Sequence, residues 1–197
     1  MTTSLESHNL VVKRILQYLK GTIDYGLLFS PGSLTLKAYT DADWAGNPND
    51  RHSTYGFVVF LGSNPISWAS KKQHAVSRSS TEAKYRAMAT TAAELSWLQQ
   101  LLRDVHFPMS SPPLLLCHNL STMALSINPV LHSSVKHIEV DCHFVCKEVT
   151  SGQLNLQHVS SSLQVANILT KGLCSPSFDF HCSNLKLRPP QLDLAGG

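Results

Sequence analysis

LTLKAYTDAD, residues 34–43, opens the run of β-strand patterns that decides the fold of this chain. Leu36 and Ala38 alternate with more polar neighbours, which is the period of a strand with one buried face. The same period places Asp41 and Asp43 together on one face at the end of the strand. The stretch therefore predicts a half-buried strand that ends in carboxylates.

Two further strand patterns follow at once. TYGFVVFLG (residues 54–62) and PISWAS (residues 65–70) are rich in aromatic and β-branched residues, and a Gly-Ser-Asn-Pro turn signal separates them. Three strands joined by such short connections predict an antiparallel meander.

Helices and short strands alternate in the rest of the chain. Apolar residues at helical spacing predict a long helix over 81–105, and Ser79 with Glu82 resembles a capping box at its start. PLLLC (residues 113–117) predicts a buried strand parallel to the first one. The other predicted elements are an amphipathic helix over 6–20, helices over 121–127 and 138–149, a strand over 153–159, a closing helix over 162–173 and a weakly ordered tail.

Composition sets limits on the class of protein. With 197 residues, 43% of them hydrophobic, the chain has enough apolar side chain for one core. Five scattered cysteines, and the lack of a signal-peptide or membrane-spanning pattern, predict an intracellular protein of the cytoplasm or nucleus that has no membrane partner. A net charge of +3 permits a polyanionic partner without requiring one.

Three positions are placed to converge at one edge of such a sheet. Asp41 ends a strand, Glu82 begins a helix, and His118 directly follows the predicted parallel strand. Ligands gather beyond the carboxyl ends of parallel strands, and convergent carboxylates suit Mg²⁺. Acidic residues at element ends are also commonly just solvated, so the spacing alone leaves both alternatives open.

Motif strings add a family resemblance. Residues 38–98, from AYTDADWAG to AAELSWL, closely resemble the ribonuclease H region of copia-type retrotransposon polyproteins, and the likeness continues through CHNLSTMAL, NPVLH, KHIEVDCHFV and QVANILTKGL. The segment VVKRILQYLKGT is similar to the tether that follows the reverse transcriptase in those polyproteins. The resemblance implies an α/β ribonuclease-H-like fold, with a five-stranded mixed sheet flanked by helices. It divides the chain into a tether helix (1–24), the ribonuclease-H-like domain (25–173) and a C-terminal tail (174–197).

The resemblance also implies a catalytic site. Family members cut the RNA strand of an RNA–DNA hybrid with two Mg²⁺ ions held by four acids. Two of those acids are present here as the metal ligands Asp41 and Glu82. The third position, in the family's CDN motif, is His118, and the fourth, in its ADIFTKGL motif, is Asn167. We therefore expect weakened Mg²⁺ binding and little or no hydrolysis.

Smaller departures from the family motifs point the same way. Lys84 stands in EAKY where the family has EAEY, Ser134 in SVKHI where it has RTKHI, and Cys146 in HFVCK where it has HFVRE. Cys142 and Cys146 share a predicted helix face, but with nearby histidines they match no known zinc spacing, and buried free cysteines are ordinary core residues.

Three functional classes remain open from sequence. The chain is either a decayed ribonuclease H, a non-enzymatic module that binds hybrid or other nucleic acid, or a remnant without a function. The second class would use the basic group Lys71, Lys72 and Arg78 for phosphate contacts. In the parent polyprotein, the expected neighbour is the reverse transcriptase domain.

Overall fold

The computed structural model describes residues 6–107, 109–128 and 136–189. The following elements occur in chain order: α1 Glu6–Thr22, β1 Gly26–Leu27, β2 Leu36–Asp43, β3 Thr54–Leu61, β4 Asn64–Lys72, α2 Ser80–Asp104, β5 Leu114–Cys117, α3 Leu120–Ile127, the 3-10 helix η1 Lys136–Ile138, α4 Glu139–Thr150, β6 Asn155–His158, the 3-10 helices η2 Ser161–Leu163 and η3 Val165–Leu169, α5 Ser175–Asn184 and β7 Leu187–Arg188.

A five-stranded mixed sheet forms the centre, with the strand order β4-β3-β2-β5-β6. β2, β3 and β4 pair antiparallel, and the Gly62-Ser63 turn joins the last two of them. β5 lies parallel to both β2 and β6. The predicted meander, the parallel neighbour and the five-stranded mixed sheet are thus confirmed.

The two faces of the sheet are covered differently. On one face, Leu36 and Ala38 of β2 pack with Met88 and Leu95 of α2 in the main core. Thr91 Oγ1 donates a hydrogen bond to Thr40 Oγ1 at 2.9 Å within this layer. On the other face, Val58 and Phe60 of β3 pack against Val165 of η3. Because side chains alternate along β2, Tyr39 and Asp41 belong to this second face.

The predicted closing helix over 162–173 is wrong. The segment instead forms η2 and η3, separated by Gln164 in an extended conformation with φ −73° and ψ 96°. The Gln164 side chain is fully buried, accepts a hydrogen bond from the Ala166 N–H and donates one to the Leu116 carbonyl. This amide binds backbone groups of both the sheet and η3, and the extended backbone at Gln164 interrupts a continuous helix.

Within the segment assigned to the C-terminal tail (174–197), the described residues form a helix and a short strand. α5 begins after Cys174 with Pro176 in its first turn, and β7 pairs antiparallel with β1. Buried His181 and Cys182 anchor α5 on the molecule. Residues 190–197 lie outside the described residues.

α1 confirms the predicted N-terminal helix, and its apolar side chains are largely exposed. Val11, Ile15 and Leu19 follow one another at four-residue spacing, and each is more than half exposed. The ring of Tyr18 meets that of Phe178 edge to face, with 6.2 Å between the centroids. Among the described residues, no helix is long and apolar enough to cross a lipid bilayer.

His181 makes the stability of the fold sensitive to mild acid. The residue is 2% exposed, and its Nδ1 is buried with no hydrogen-bond partner in the part of the chain that the structure describes. Burial lowers the pKa of His181 below the ordinary value of 6.5. A lowered pKa in the folded state means that the neutral ring contributes stability above pH 6.5, and that this stability falls as the pH drops below it.

We expect His181→Leu to flatten the decline in stability between pH 7.5 and 5.5, measured by urea unfolding at several pH values. His143→Leu, at an exposed position of α4, is the control and should leave the slope unchanged. Equal slopes for wild type and His181→Leu would contradict the assignment.

Candidate functional site

Asp41 lies near the carboxyl end of β2, on the sheet face that η3 covers. Its register partner on β3 is Gly56, which has no side chain to separate the sheet from η3. A Cβ at Gly56 would lie 2.7 Å from Leu169 Cβ and 3.0 Å from Thr170 Cγ2. The glycine therefore allows the chain around Thr170 to approach the Asp41 carboxylate.

We expect Gly56→Ala to destabilise the protein by about 1–3 kcal/mol, because the added methyl group overpacks a close contact. The measurement is the free energy of unfolding in urea. Gly26→Ala is the matched control, since a Cβ at that strand position meets no atom within 4 Å. If Gly56→Ala and Gly26→Ala had equal free energies of unfolding, the sheet and η3 could move apart at Gly56 without loss of stability.

The Asp41 carboxylate is buried, and both of its oxygens have partners. Thr170 Oγ1 donates to Oδ2 at 2.6 Å, and Lys171 Nζ lies 3.0 Å from the same oxygen. Lys84 Nζ lies 3.2 Å from Oδ1. Burial raises the pKa of Asp41, but the Thr170 hydroxyl and the two ammonium groups outweigh this effect and lower the pKa to about 2. The carboxylate is therefore ionised at any working pH.

His118 follows β5 and faces the same carboxylate. Its Nε2 lies 2.6 Å from Lys84 Nζ and 3.7 Å from Asp41 Oδ1. Burial and the Lys84 charge lower the pKa of His118, so the ring is neutral at pH 7. An ammonium group can only donate, so Nε2 accepts and the ring proton lies on Nδ1, which is buried and has no hydrogen-bond partner among the described residues. The next residue, Asn119, caps α3 by accepting from the Thr122 N–H.

Asn167 lies on η3, and its side-chain amide is linked to Asp41 through Lys171. Its Nδ2 donates to the Ser161 carbonyl at 2.8 Å, and its Oδ1 accepts from Lys171 Nζ at 3.0 Å. Lys171 therefore bridges the amide of Asn167 and the carboxylate of Asp41.

Glu82 binds partners of its own at the start of α2. Its N–H donates to Ser79 Oγ, as the capping box predicts, while its carboxylate accepts from the Arg78 N–H at 2.9 Å. Arg86, one helical turn later, forms an ion pair with the same carboxylate at 2.8 Å. No hydrogen bond or ion pair joins Glu82 to Asp41, His118 or Asn167 within the part of the chain that the structure describes.

The resulting cluster is cationic and rich in nitrogen. One carboxylate, Asp41, faces two ammonium groups and a neutral imidazole, which leaves a net positive charge. Mg²⁺ prefers an octahedral shell of oxygen ligands, and these contacts do not match that preference. Within residues 6–107, 109–128 and 136–189, no three His, Cys, Asp or Glu side chains form a group that could hold a metal ion.

The basic group Lys71, Lys72 and Arg78 is exposed. Lys72 forms an ion pair with Asp50. Lys71 lines a cleft of about 750 Å³ together with exposed Trp68 and Leu169 of η3. Thr90 and Glu94 of α2 also line this cleft, and α2 covers the sheet face opposite to Asp41.

Sequence reasoning missed three members of the cluster. Lys84 was marked only as a minor departure from the family's EAEY motif, yet its ammonium group contacts both Asp41 and His118. Thr170 and Lys171 belong to the TKGL part of the family's ADIFTKGL motif, in which only the position of the acid predicted a site residue. The change from an acidic to a basic residue at position 84, two residues from Glu82, was the available signal.

Retrovirus-related Pol polyproteins of plant transposons are among the known proteins that the chain resembles. The chain is 48% identical over 174 residues, 88% of its length, to the retrovirus-related Pol polyprotein from transposon RE2 of Arabidopsis thaliana. It is 46% identical over 181 residues, 91% of its length, to the corresponding polyprotein from transposon RE1 of the same plant. The chain spans 12% of the length of each of these relatives.

A solved structure shares the fold. A ribonuclease H1 isolated from compost superposes with a TM-score of 0.53 at 15% identity, covering 75% of this chain and 97% of the other. No profile of a known protein family matches the chain.

Proposed function

We propose that the chain is a ribonuclease H domain of the kind carried by retrovirus-related Pol polyproteins of copia-type transposons, and that it is a degenerate member that no longer hydrolyses RNA–DNA hybrids. The observation that carries this proposal is the position of Lys84. Its ammonium group lies against Asp41 and His118, where the family resemblance implies a metal ion between carboxylates.

Charge explains why such a site is unfavourable for Mg²⁺. The Asp41 carboxylate is already neutralised by Lys84 and Lys171, and a divalent cation approaching it would be repelled by both ammonium groups. His118 offers a nitrogen, which suits Zn²⁺, Mn²⁺ or Fe²⁺ better than Mg²⁺. Glu82, the other remaining acid, forms an ion pair with Arg86.

A second candidate is a non-enzymatic module that binds nucleic acid. Exposed Lys71 and Trp68, which line the same cleft, favour contact with a phosphate and a base of a nucleic acid. Lys71 and Arg78 are exposed and form no ion pair within the described residues, so their charges are free to act on a polyanion. Binding of this kind requires no hydrolysis.

One experiment tests both candidates. Purified protein is incubated with a labelled RNA–DNA hybrid in Mg²⁺ or Mn²⁺, and binding to the same hybrid is measured in EDTA at several salt concentrations. We expect no cleavage in Mg²⁺ and at most a trace in Mn²⁺. Mg²⁺-dependent cleavage that Glu82→Gln abolishes would overturn the degenerate assignment.

The binding measurement decides on the second candidate. Hybrid affinity should fall with salt, and Lys71→Glu combined with Arg78→Glu should reduce both the affinity and the slope. The single variant Lys71→Glu has a control of equal charge change in Lys147→Glu, on α4, because each reverses one charge. Identical binding by the two variants would remove the module as a candidate.

A further inference from the structure

A second cavity opens on the sheet face that carries Asp41, and the proposed function does not use it. It has a volume of about 580 Å³ and lies between β2, β3, the end of β6 and α5. Tyr39 and Phe60 of the sheet and Phe180 of α5 form aromatic walls. Volumes of 300–1,000 Å³ are usual for small-molecule sites in proteins.

The cavity carries an unbalanced positive charge. Lys37, Lys186 and His158 line it, and none of its lining residues is an aspartate or a glutamate. Lys37 and Lys186 form no ion pair with a carboxylate within the described residues. The charge of each lysine is therefore available to an anion that enters the cavity.

Aromatic rings hold one of these charges in place. Lys37 Nζ lies 5.6 Å from the ring centroid of Tyr39 and 5.4 Å from that of Phe60, which are cation–π distances. The two rings meet edge to face, with 5.8 Å between the centroids. Lys37 is thus fixed at the cavity wall, which reduces the entropy lost when it binds a ligand.

Phe180 adds an exposed aromatic ring to the cavity. The ring is 45% exposed and lies in the same cavity as the two lysines, with the amide groups of Gln157 and Asn184 nearby. Stacking of a base on an aromatic ring contributes about 1–3 kcal/mol, and amides can bond the edge of a base.

We propose that this cavity binds a nucleoside 5′-monophosphate, either free or at the 5′ end of a nucleic-acid strand. The phosphate dianion binds Lys37 and Lys186, and the base stacks on Phe180. Inorganic phosphate would satisfy the charges but would leave most of the cavity and its aromatic walls unused. The site is separate from the Asp41 cluster, so the proposal does not depend on whether the domain hydrolyses RNA.

Calorimetric titration with adenosine 5′-monophosphate tests the proposal, with inorganic phosphate and adenosine as separate arms. We expect the nucleotide to bind at least about tenfold more tightly than either part. Lys37→Gln and Lys186→Gln should each weaken nucleotide binding at least about tenfold, and Lys37→Arg should retain it. Phe180→Ala should weaken the nucleotide but not inorganic phosphate.

Lys147→Gln is the matched control, because it removes the same charge from α4, which packs with α2 on the other face of the sheet. Thermal unfolding of every variant verifies that it is folded. Nucleotide affinity that equals that of inorganic phosphate, or that survives Lys37→Gln and Lys186→Gln, would overturn the assignment.

Oligonucleotides distinguish the two sources of the ligand. A strand end is the ligand if a 5′-phosphorylated strand binds at least about tenfold more tightly than its 5′-hydroxyl counterpart and Lys37→Gln removes that difference. Binding of the mononucleotide without that discrimination supports a free nucleotide. If neither the mononucleotide nor the phosphorylated strand binds, the proposal is wrong.

Discussion

A variant that combines Lys84→Glu, His118→Asp and Asn167→Asp should cleave the RNA strand of a hybrid in Mg²⁺ at least about 10²-fold above the wild type. The triple change removes one ammonium group from Asp41 and supplies carboxylates at all four family positions. Ligands of a two-metal site act as a unit, so their effects are far from additive. The rate is measured with a labelled hybrid across a Mg²⁺ titration.

The double variant His118→Asp with Asn167→Asp is the informative comparison. We expect it to remain nearly inert, because Lys84 still lies 3.2 Å from Asp41 and would pair with the new carboxylate at position 118. Adding Glu82→Gln to the triple variant should abolish its activity, whereas Lys147→Glu should not replace Lys84→Glu.

The melting temperature with and without Mg²⁺ provides a second test, which applies even if the triple variant is less stable than the wild type. The triple variant adds three carboxylates and loses the Lys84 ammonium group, so Mg²⁺ should raise the melting temperature of the triple variant but not that of the wild type. A folded triple variant that binds hybrid but neither gains stability from Mg²⁺ nor cleaves would show that decay extends beyond these three positions.

The sequence predicted most of the sheet because its patterns are local. Period-two alternation in β2 and the turn at Gly62 and Ser63 leave few other pairings, and α2 has an apolar stripe over most of its length. α5 was missed because Phe178, Phe180 and Cys182 follow one another at every second position, which is not a helical spacing. Its N-terminal residue, Cys174, also offers no capping side chain.

The candidate site was predictable as a set of positions but not as a set of contacts. Motif matches identified Asp41 and His118, which the structure brings within 3.7 Å of each other. Glu82 forms an ion pair with Arg86, which lies one turn later on the same helix. Arg86 therefore competes with any other partner for the Glu82 carboxylate. Long side chains such as Lys84 and Lys171 choose their partners in three dimensions, and no periodicity shows that choice.

Asp41→Asn should destabilise the protein by about 3 kcal/mol, measured as the free energy of unfolding in urea. The change removes a buried carboxylate that neutralises Lys84 and Lys171, and an unpaired charge near a protein interior is costly. In a working metal site the expectation is the reverse, since mutually repelling acids lower stability and removing one relieves the repulsion. A loss of stability in Asp41→Asn therefore identifies Asp41 as a structural counter-ion of the two lysines, and a gain identifies it as a metal ligand kept for function.

A double-mutant cycle isolates the ion pair from other effects of the substitution. Lys84→Met alone leaves Asp41 paired with Lys171 and Thr170, so it should cost less than Asp41→Asn. Combining the two should cost less than their sum, with a coupling of about 1–3 kcal/mol. Purely additive effects, or a stabilising Asp41→Asn, would mean that Lys84 does not neutralise this carboxylate in solution. The degenerate site would then lose its main physical support.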